Sequence, residues 1–145
     1  MKGSLTYKKD NSMKKLLIIV LSIISFNSYG QTVITDDNFE EITNGRSAFE
    51  DDGSTLVIVE FYAEFNKDNS FQHWAKLEGV KYYLCDIAKS PKAKKNHKVR
   101  TVPHLIIFKE GYDEIHFKAG LDFTLSEDLE DIQKAIDKLN EESKF

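Results

Sequence analysis

The sequence predicts an α/β domain with a central mixed sheet and helices on both of its faces. Three observations predict it. Thr55 to Tyr62 is a continuous apolar run rich in valine and isoleucine, the pattern of a central strand covered on both sides. Strand-like and helix-like stretches alternate along the chain and finish in a hairpin and a helix, the order expected of a sheet with helices packed on it. The last segment carries Leu125, Leu129, Ile132, Ile136 and Leu139 at spacings of four and three, which makes one apolar stripe on one helix. With 41% hydrophobic against 30% charged residues, the chain can bury a core, and a disordered tail is excluded.

The elements follow in order. Thr32 to Ile34 reads as a short strand, and Asp37 to Thr43 as a helix capped by Asp36 or Asp37, because a short acidic side chain accepts from the first free N–H groups. Glu50-Asp51-Asp52-Gly53-Ser54 is a turn into the central strand. Only about ten residues separate Asn69 from the next strand, Lys81 to Ile87. Ser70 to Leu77 therefore has room for a short helix alone, ended by Glu78-Gly79. Ser90-Pro91 opens a helix to about Lys98, proline being tolerated in a first turn. Leu105 to Lys109 and Glu114 to Lys118 flank a hairpin turn at Glu110-Gly111-Tyr112-Asp113, with Gly111 supplying the positive φ. The final helix, Leu125 to Leu139, takes Thr124 or Ser126 as its cap.

Met13-Lys14-Lys15, the apolar run Leu16 to Ile24 and the small residues around Ser28 and Gly30 have the three regions of a secretory signal peptide. The apolar run is too short to span a bilayer, which needs about 20 residues. Residues 1–30 are thus expected to be a signal segment, with translation starting at Met1 or Met13, and 31–145 one exported domain, periplasmic or extracellular. A membrane enters only through an uncleaved signal segment. The net charge of −4 argues against nucleic acid as a partner. The lysines at Lys89, Lys92, Lys94, Lys95 and Lys98 read first as a solvated helix face. Cys85 is the only cysteine, so no internal disulfide forms. Its neighbours Tyr82, Tyr83, Leu84 and Ile87 make a buried strand. A small apolar core side chain is the first reading of it, and a lone reactive thiol the alternative.

Leu56 to Asn69 reads L-V-I-V-E-F-Y-A-E-F-N-K-D-N. It resembles the approach to the active site of thioredoxins and protein disulfide isomerases, in which a strand ending E-F-Y-A leads to C-x-x-C at a helix start. Asn66 and Asn69 stand at the two cysteine positions. Val33-Ile34-Thr35-Asp36-Asp37-Asn38-Phe39 resembles the family's opening, and Val99-Arg100-Thr101-Val102-Pro103 followed by His104 to Gly111 resembles its V-R-[SG]-[VI]-P-T, strand and K-x-G turn. Gly120 matches a glycine after the last strand. The resemblance covers about residues 33 to 140 and implies the thioredoxin fold, a cis proline at Pro103, and an extended substrate bound by the backbone before it. The short helix after Asn69 departs from the family, whose long helix there aims its dipole at the reactive sulfur.

A carboxamide cannot form the thiolate that attacks a disulfide, so the dithiol chemistry is removed. Glu60 stands where the family keeps a buried acid, and without a thiol it is vestigial; Leu84 replaces a lysine the family often has nearby. The loop Phe65-Asn66-Lys67-Asp68-Asn69 serves either as a capped helix start, with Asp68 or Asn69 as cap, or as a recognition loop beside Thr101, Val102, Pro103 and His104. No cofactor is called for, and no metal motif is present, although His73, Asp68 and His104 have suitable ligand types. The first reading is an exported, redox-inactive domain that binds a protein or extended peptide, as a chaperone-like module or a complex component. The alternatives are a thiol oxidoreductase acting through Cys85 and a purely structural interaction domain. Mass spectrometry of the exported form is expected to read Gln31 as its first residue.

Overall fold

The computed structural model describes residues 31–45 and 56–144. The signal segment, its cleavage point, the turn at 50–54 and Thr55 lie outside them. Five strands form one sheet in the order β1-β3-β2-β4-β5: β1 Thr32–Ile34, β2 Leu56–Tyr62, β3 Val80–Asp86, β4 His104–Lys109 and β5 Tyr112–Lys118. β2 runs parallel to β3 and antiparallel to β4, so the sheet is mixed. All seven residues of β2 are buried, Glu60 among them, as expected of a strand that is apolar but for that one residue and covered on both faces.

The pleat of β2 divides the core into two layers. Val57, Val59 and Phe61 point to one face, where they meet Phe39 of helix α1 (Phe39–Thr43) and Ala93 of helix α2 (Pro91–Asn96). Leu56 and Ile58 point to the other, against Ile132, Ile136 and Leu139 of helix α3 (Leu129–Glu142). The stripe at spacings of three and four is therefore the buried face of α3.

The caps differ from those expected, for reasons of reach. Asp36 does not cap α1. Its carboxylate crosses to α2 and accepts from the backbone N–H groups of Lys92 at 3.0 Å and Ala93 at 2.8 Å. Those are orphan donors of the first turn, which Ser90 leaves unserved. Asn38 precedes α1, and its side chain accepts from Thr35 N–H instead. The last helix begins four residues later than expected, because Asp128 and Asp131 form a reciprocal capping box that neither Thr124 nor Ser126 provides. The hairpin turns on Glu110 (φ 52) and Gly111 (φ 84), both left-handed, as a two-residue turn between twisted strands demands.

Between β2 and β3 the chain makes only 3₁₀ turns, at Glu64–Asn69 and Trp74–Lys76, and the short α-helix expected after Ser70 is absent. Phe71, Trp74 and Leu77 fill the space over the sheet. Side-chain amides of α3 fasten the end of this segment: Gln133 exchanges bonds with Glu78 N–H (2.9 Å) and C=O (3.0 Å), and Asn140 donates to Gly79 C=O at 3.2 Å.

Asp36→Ala is expected to lower the unfolding free energy by about 1 kcal/mol, the usual cost of a lost cap. Asp37→Ala, at a position without a cap bond, is expected to change it by less than about 0.5 kcal/mol. Urea unfolding of both variants measures the difference.

Candidate functional site

The loop after β2 carries the two asparagines to the edge of the Pro103 loop. The 3₁₀ turn breaks at Asn66 (φ −120°, ψ 17°), and this turns the side chain inwards. Asn66 Nδ2 donates to Val102 C=O at 2.7 Å and to Phe123 C=O at 3.2 Å. Asn69 Nδ2 donates to Asn66 Oδ1 at 2.9 Å and to Phe123 C=O at 3.1 Å. Two carboxamides thus clasp three segments of chain: their own loop, the loop before β4 and the loop after β5. Phe65 stands over the clasp, edge-on to Phe123 with ring centroids 5.7 Å apart. Asn69 is a clasp residue, so its expected role as a helix cap is replaced; Asp68 makes no cap bond either.

The Pro103 loop is closed in the same way. The Val102–Pro103 peptide is cis. Thr101 Oγ1 donates to Ala119 C=O at 2.9 Å, and Pro103 C=O accepts from Ala119 N–H at 3.0 Å. Val102, Pro103 and His104 are all buried. The expectation that Val102 and His104 present an open pairing edge is corrected: the Val102 carbonyl is already taken by Asn66, and the strand alternation turns His104 into the layer beneath α1 and α2. Three large apolar side chains are among the groups that remain exposed. Phe65 is 75% accessible, Leu121 95% and Phe123 40%, with Lys67 and Asp68 beside Phe65.

Glu60 lies on the opposite face of β2, fully buried. Its Oε1 accepts from Tyr82 Oη at 2.6 Å and from Phe71 N–H at 3.1 Å, while Oε2 has no partner. Burial pushes the carboxyl above the usual carboxylate range, and the bonds from Tyr82, Ser70 and Phe71 offset only part of that. Burial, and then the Glu60 charge, push the Tyr82 phenol up as well. Glu60 here ties the segment that replaces a helix to the sheet, with Trp74 packed on Tyr82 at 6.0 Å. Cys85 is fully buried, and burial pushes its thiol up to about 11, which leaves little thiolate at neutral pH.

A second polar group escaped the sequence reading. His104 Nε2 lies 2.9 Å from His116 Nδ1, and His116 Nε2 lies 3.2 Å from Asp113 Oδ2. His97 Nδ1 approaches the same carboxylate oxygen at 3.6 Å. Because a carboxylate only accepts, His116 carries its proton on Nε2 and His104 donates from its own Nε2. His104 Nδ1 is then an unprotonated, unpartnered nitrogen in the core. Burial, with His116, Lys118 and His97 nearby, lowers its pKa to about 4. His104 is thus spent on this chain and does not converge with His73 or Asp68. Among the described residues no group of ligand side chains is arranged to hold a metal ion.

A scan against protein-family models finds no match, and no curated protein matches the chain. Solved structures do. They include a thioredoxin of Malassezia sympodialis, 19% identical with a TM-score of 0.55, the match covering 75% of this chain and 90% of that one. A single-site mutant of a thioredoxin from Halobacterium salinarum is 17% identical with a TM-score of 0.55, over 74% and 88% of the two chains. A chain from the yeast mitochondrial 1-Cys peroxiredoxin thiol-resolving system is 16% identical with a TM-score of 0.53, over 75% and 95%. The fold is the thioredoxin fold, carried by a chain whose single cysteine excludes a C-x-x-C pair.

Asn66→Ala is expected to cost about 1 to 2 kcal/mol for the lost bonds, and Asn66→Asp more, because a carboxylate would face two carbonyl oxygens. Thermal unfolding at neutral pH ranks the two. The folded state holds His104 neutral below the pH at which an unfolded histidine protonates, so the unfolded state binds the extra proton. Stability is therefore fully present above about pH 6.5 and falls as the pH drops from 6.5 towards 4. His104→Gln should flatten that slope in a urea-unfolding series across this range.

Proposed function

We propose that this protein is an exported, redox-inactive thioredoxin-fold domain that works by holding a protein or peptide partner. The observation that carries the reading is the clasp: the two positions at which the family places its sulfurs are carboxamides committed to backbone carbonyls, under an exposed pair of phenylalanines. Such a site has no group to form a mixed disulfide, and what it offers is shape and apolar surface.

The mode of binding follows from what is free. The Val102 carbonyl, the Thr101 hydroxyl and the Pro103 carbonyl already have partners, which leaves fewer main-chain groups for an added strand and favours docking through side chains. Phe65, Leu121 and Phe123 together support docking of apolar side chains, with Lys67 and Asp68 at the rim. Aromatic anchors of this kind supply most of the energy of small interfaces. An interface built on three such side chains is small, which fits weak or transient association. The buried Cys85, with its thiol pushed up, weighs against the monothiol alternative. Export is supported by the charged, apolar and small-residue order of residues 13–30.

Two measurements test the reading. The mature domain should reduce insulin disulfides in dithiothreitol no faster than the reagent alone; turnover that disappears in Cys85→Ser would establish the oxidoreductase instead. On an array of overlapping peptides, the wild type should retain sequences rich in apolar residues, and a Phe65→Ser, Leu121→Ser double variant should lose them. Both substituted side chains are exposed, so the variant keeps its core. Equal retention by both proteins would refute docking on this surface.

A further inference from the structure

Residues 89–100 hold six cations and no carboxylate: Lys89, Lys92, Lys94, Lys95, Lys98 and Arg100. All six are exposed, and none has an ion-pair partner among the described residues. Two of them, in the last turn of α2, complement the helix dipole. That accounts for part of the cluster.

The surface they surround is a cleft. It measures about 490 Å³, with Ile87, Pro91 and Val99 providing apolar surface and Lys94, Lys98 and Arg100 among the cations lining it. Lys98 is held in the left-handed region at φ 54, with backbone bonds from Lys98 N–H to Lys95 C=O and from Val99 N–H to Lys94 C=O. It therefore stands on a defined turn. The same lysine lines a neighbouring hollow of about 540 Å³, to which Lys118 also contributes. A chain with a net charge of −4 thus concentrates cations around the first cleft, where they repel one another unless an anion covers them, whereas the second hollow holds its own carboxylate in Asp113.

We propose that this cleft docks an acidic, extended protein segment that also carries an apolar side chain, the carboxylates meeting the lysines and the apolar group entering beside Ile87 and Val99. The proposal rests on the reading of the domain as a protein-binding module and names the chemistry of a partner for a second surface. A membrane fits less well, because Val99 is buried and Ile87 partly so, and these groups lie within the cleft where they cannot reach a bilayer. Nucleic acid fits less well, because no aromatic side chain lines the cleft for bases to stack on.

The test is fluorescence anisotropy with short labelled peptides at low and physiological salt. The probes are an aspartate- and glutamate-rich peptide with a central phenylalanine, its asparagine and glutamine counterpart, and the acidic peptide with serine for phenylalanine. The acidic phenylalanine peptide should bind best and lose affinity as salt rises. A Lys94→Glu, Lys98→Glu variant, altered only at exposed side chains, should bind it about tenfold more weakly or worse. The Phe65→Ser, Leu121→Ser variant should bind it as the wild type does. Equal binding of the neutral peptide, or no loss on charge reversal, overturns the proposal. So does tighter binding of phosphatidylglycerol vesicles or single-stranded DNA than of the peptide. Loss in the Phe65→Ser, Leu121→Ser variant alone overturns it too, while leaving the apolar docking surface standing.

Discussion

The burial of β2 on both faces is the constraint from which the rest of the structure follows. Five of its side chains, Leu56, Val57, Ile58, Val59 and Phe61, are at most 1% accessible. Each is worth about 1.5 to 3 kcal/mol when removed from water. They stay out of water only if both surfaces of the sheet are covered, so helices must lie on each side and β3 and β4 must flank the strand. The same constraint explains Glu60. A carboxyl on a strand with no wet face must find its donors in the chain that covers it, and it finds Tyr82 and the backbone of Phe71.

That covering chain is the part of the molecule with the least regular structure. Where a long helix would satisfy its own backbone, two 3₁₀ turns are tied down by side chains: Glu60 beneath, Gln133 and Asn140 beside, and the segment's own Asn66 and Asn69 at the front, which reach out to Val102 and Phe123. The asparagines are suited to this because one carboxamide donates two protons to carbonyls and accepts through its oxygen, which a thiol does poorly. The two carboxamides thus act as a mechanical joint. The exposed phenylalanine pair stands directly over this joint.

The histidine chain depends on a single irregularity. The hairpin starts with Lys109 opposite Tyr112, and Phe108 opposite Asp113, but a bulge then places Ile107 opposite Ile115. Without the extra residue, His116 would pair across from Leu105 and point towards α3. With it, His116 lies across from Ile106 and shares a face with His104, since opposed residues of an antiparallel pair point the same way. The bulge also leaves Asp113 and His116 on one side. Three imidazoles and a carboxylate therefore meet under α1 and α2, at residues whose spacing along the chain shows no pattern.

The sequence by itself determined the fold class, the order of the strands along the chain, the buried face of α3 and the absence of a dithiol pair. Each of these is a local or periodic property: a strand apolar but for one residue, a stripe at helical spacing, asparagines and a single cysteine in the chain. Tertiary structure decided which groups met. Asp36 sits next to α1 in the chain but caps α2, because β1 brings it beside the free N–H groups of Lys92 and Ala93. Val102 and His104 lie in a motif that reads as an open edge, yet Asn66 closes one and a bulge buries the other against His116. Phe123 joins the site from a loop more than fifty residues away, held at φ 59 by its own turn. Polar partnerships at such separations are set by register and reach, to within a single residue, and on β4 a slip of one would turn His104 to the other face.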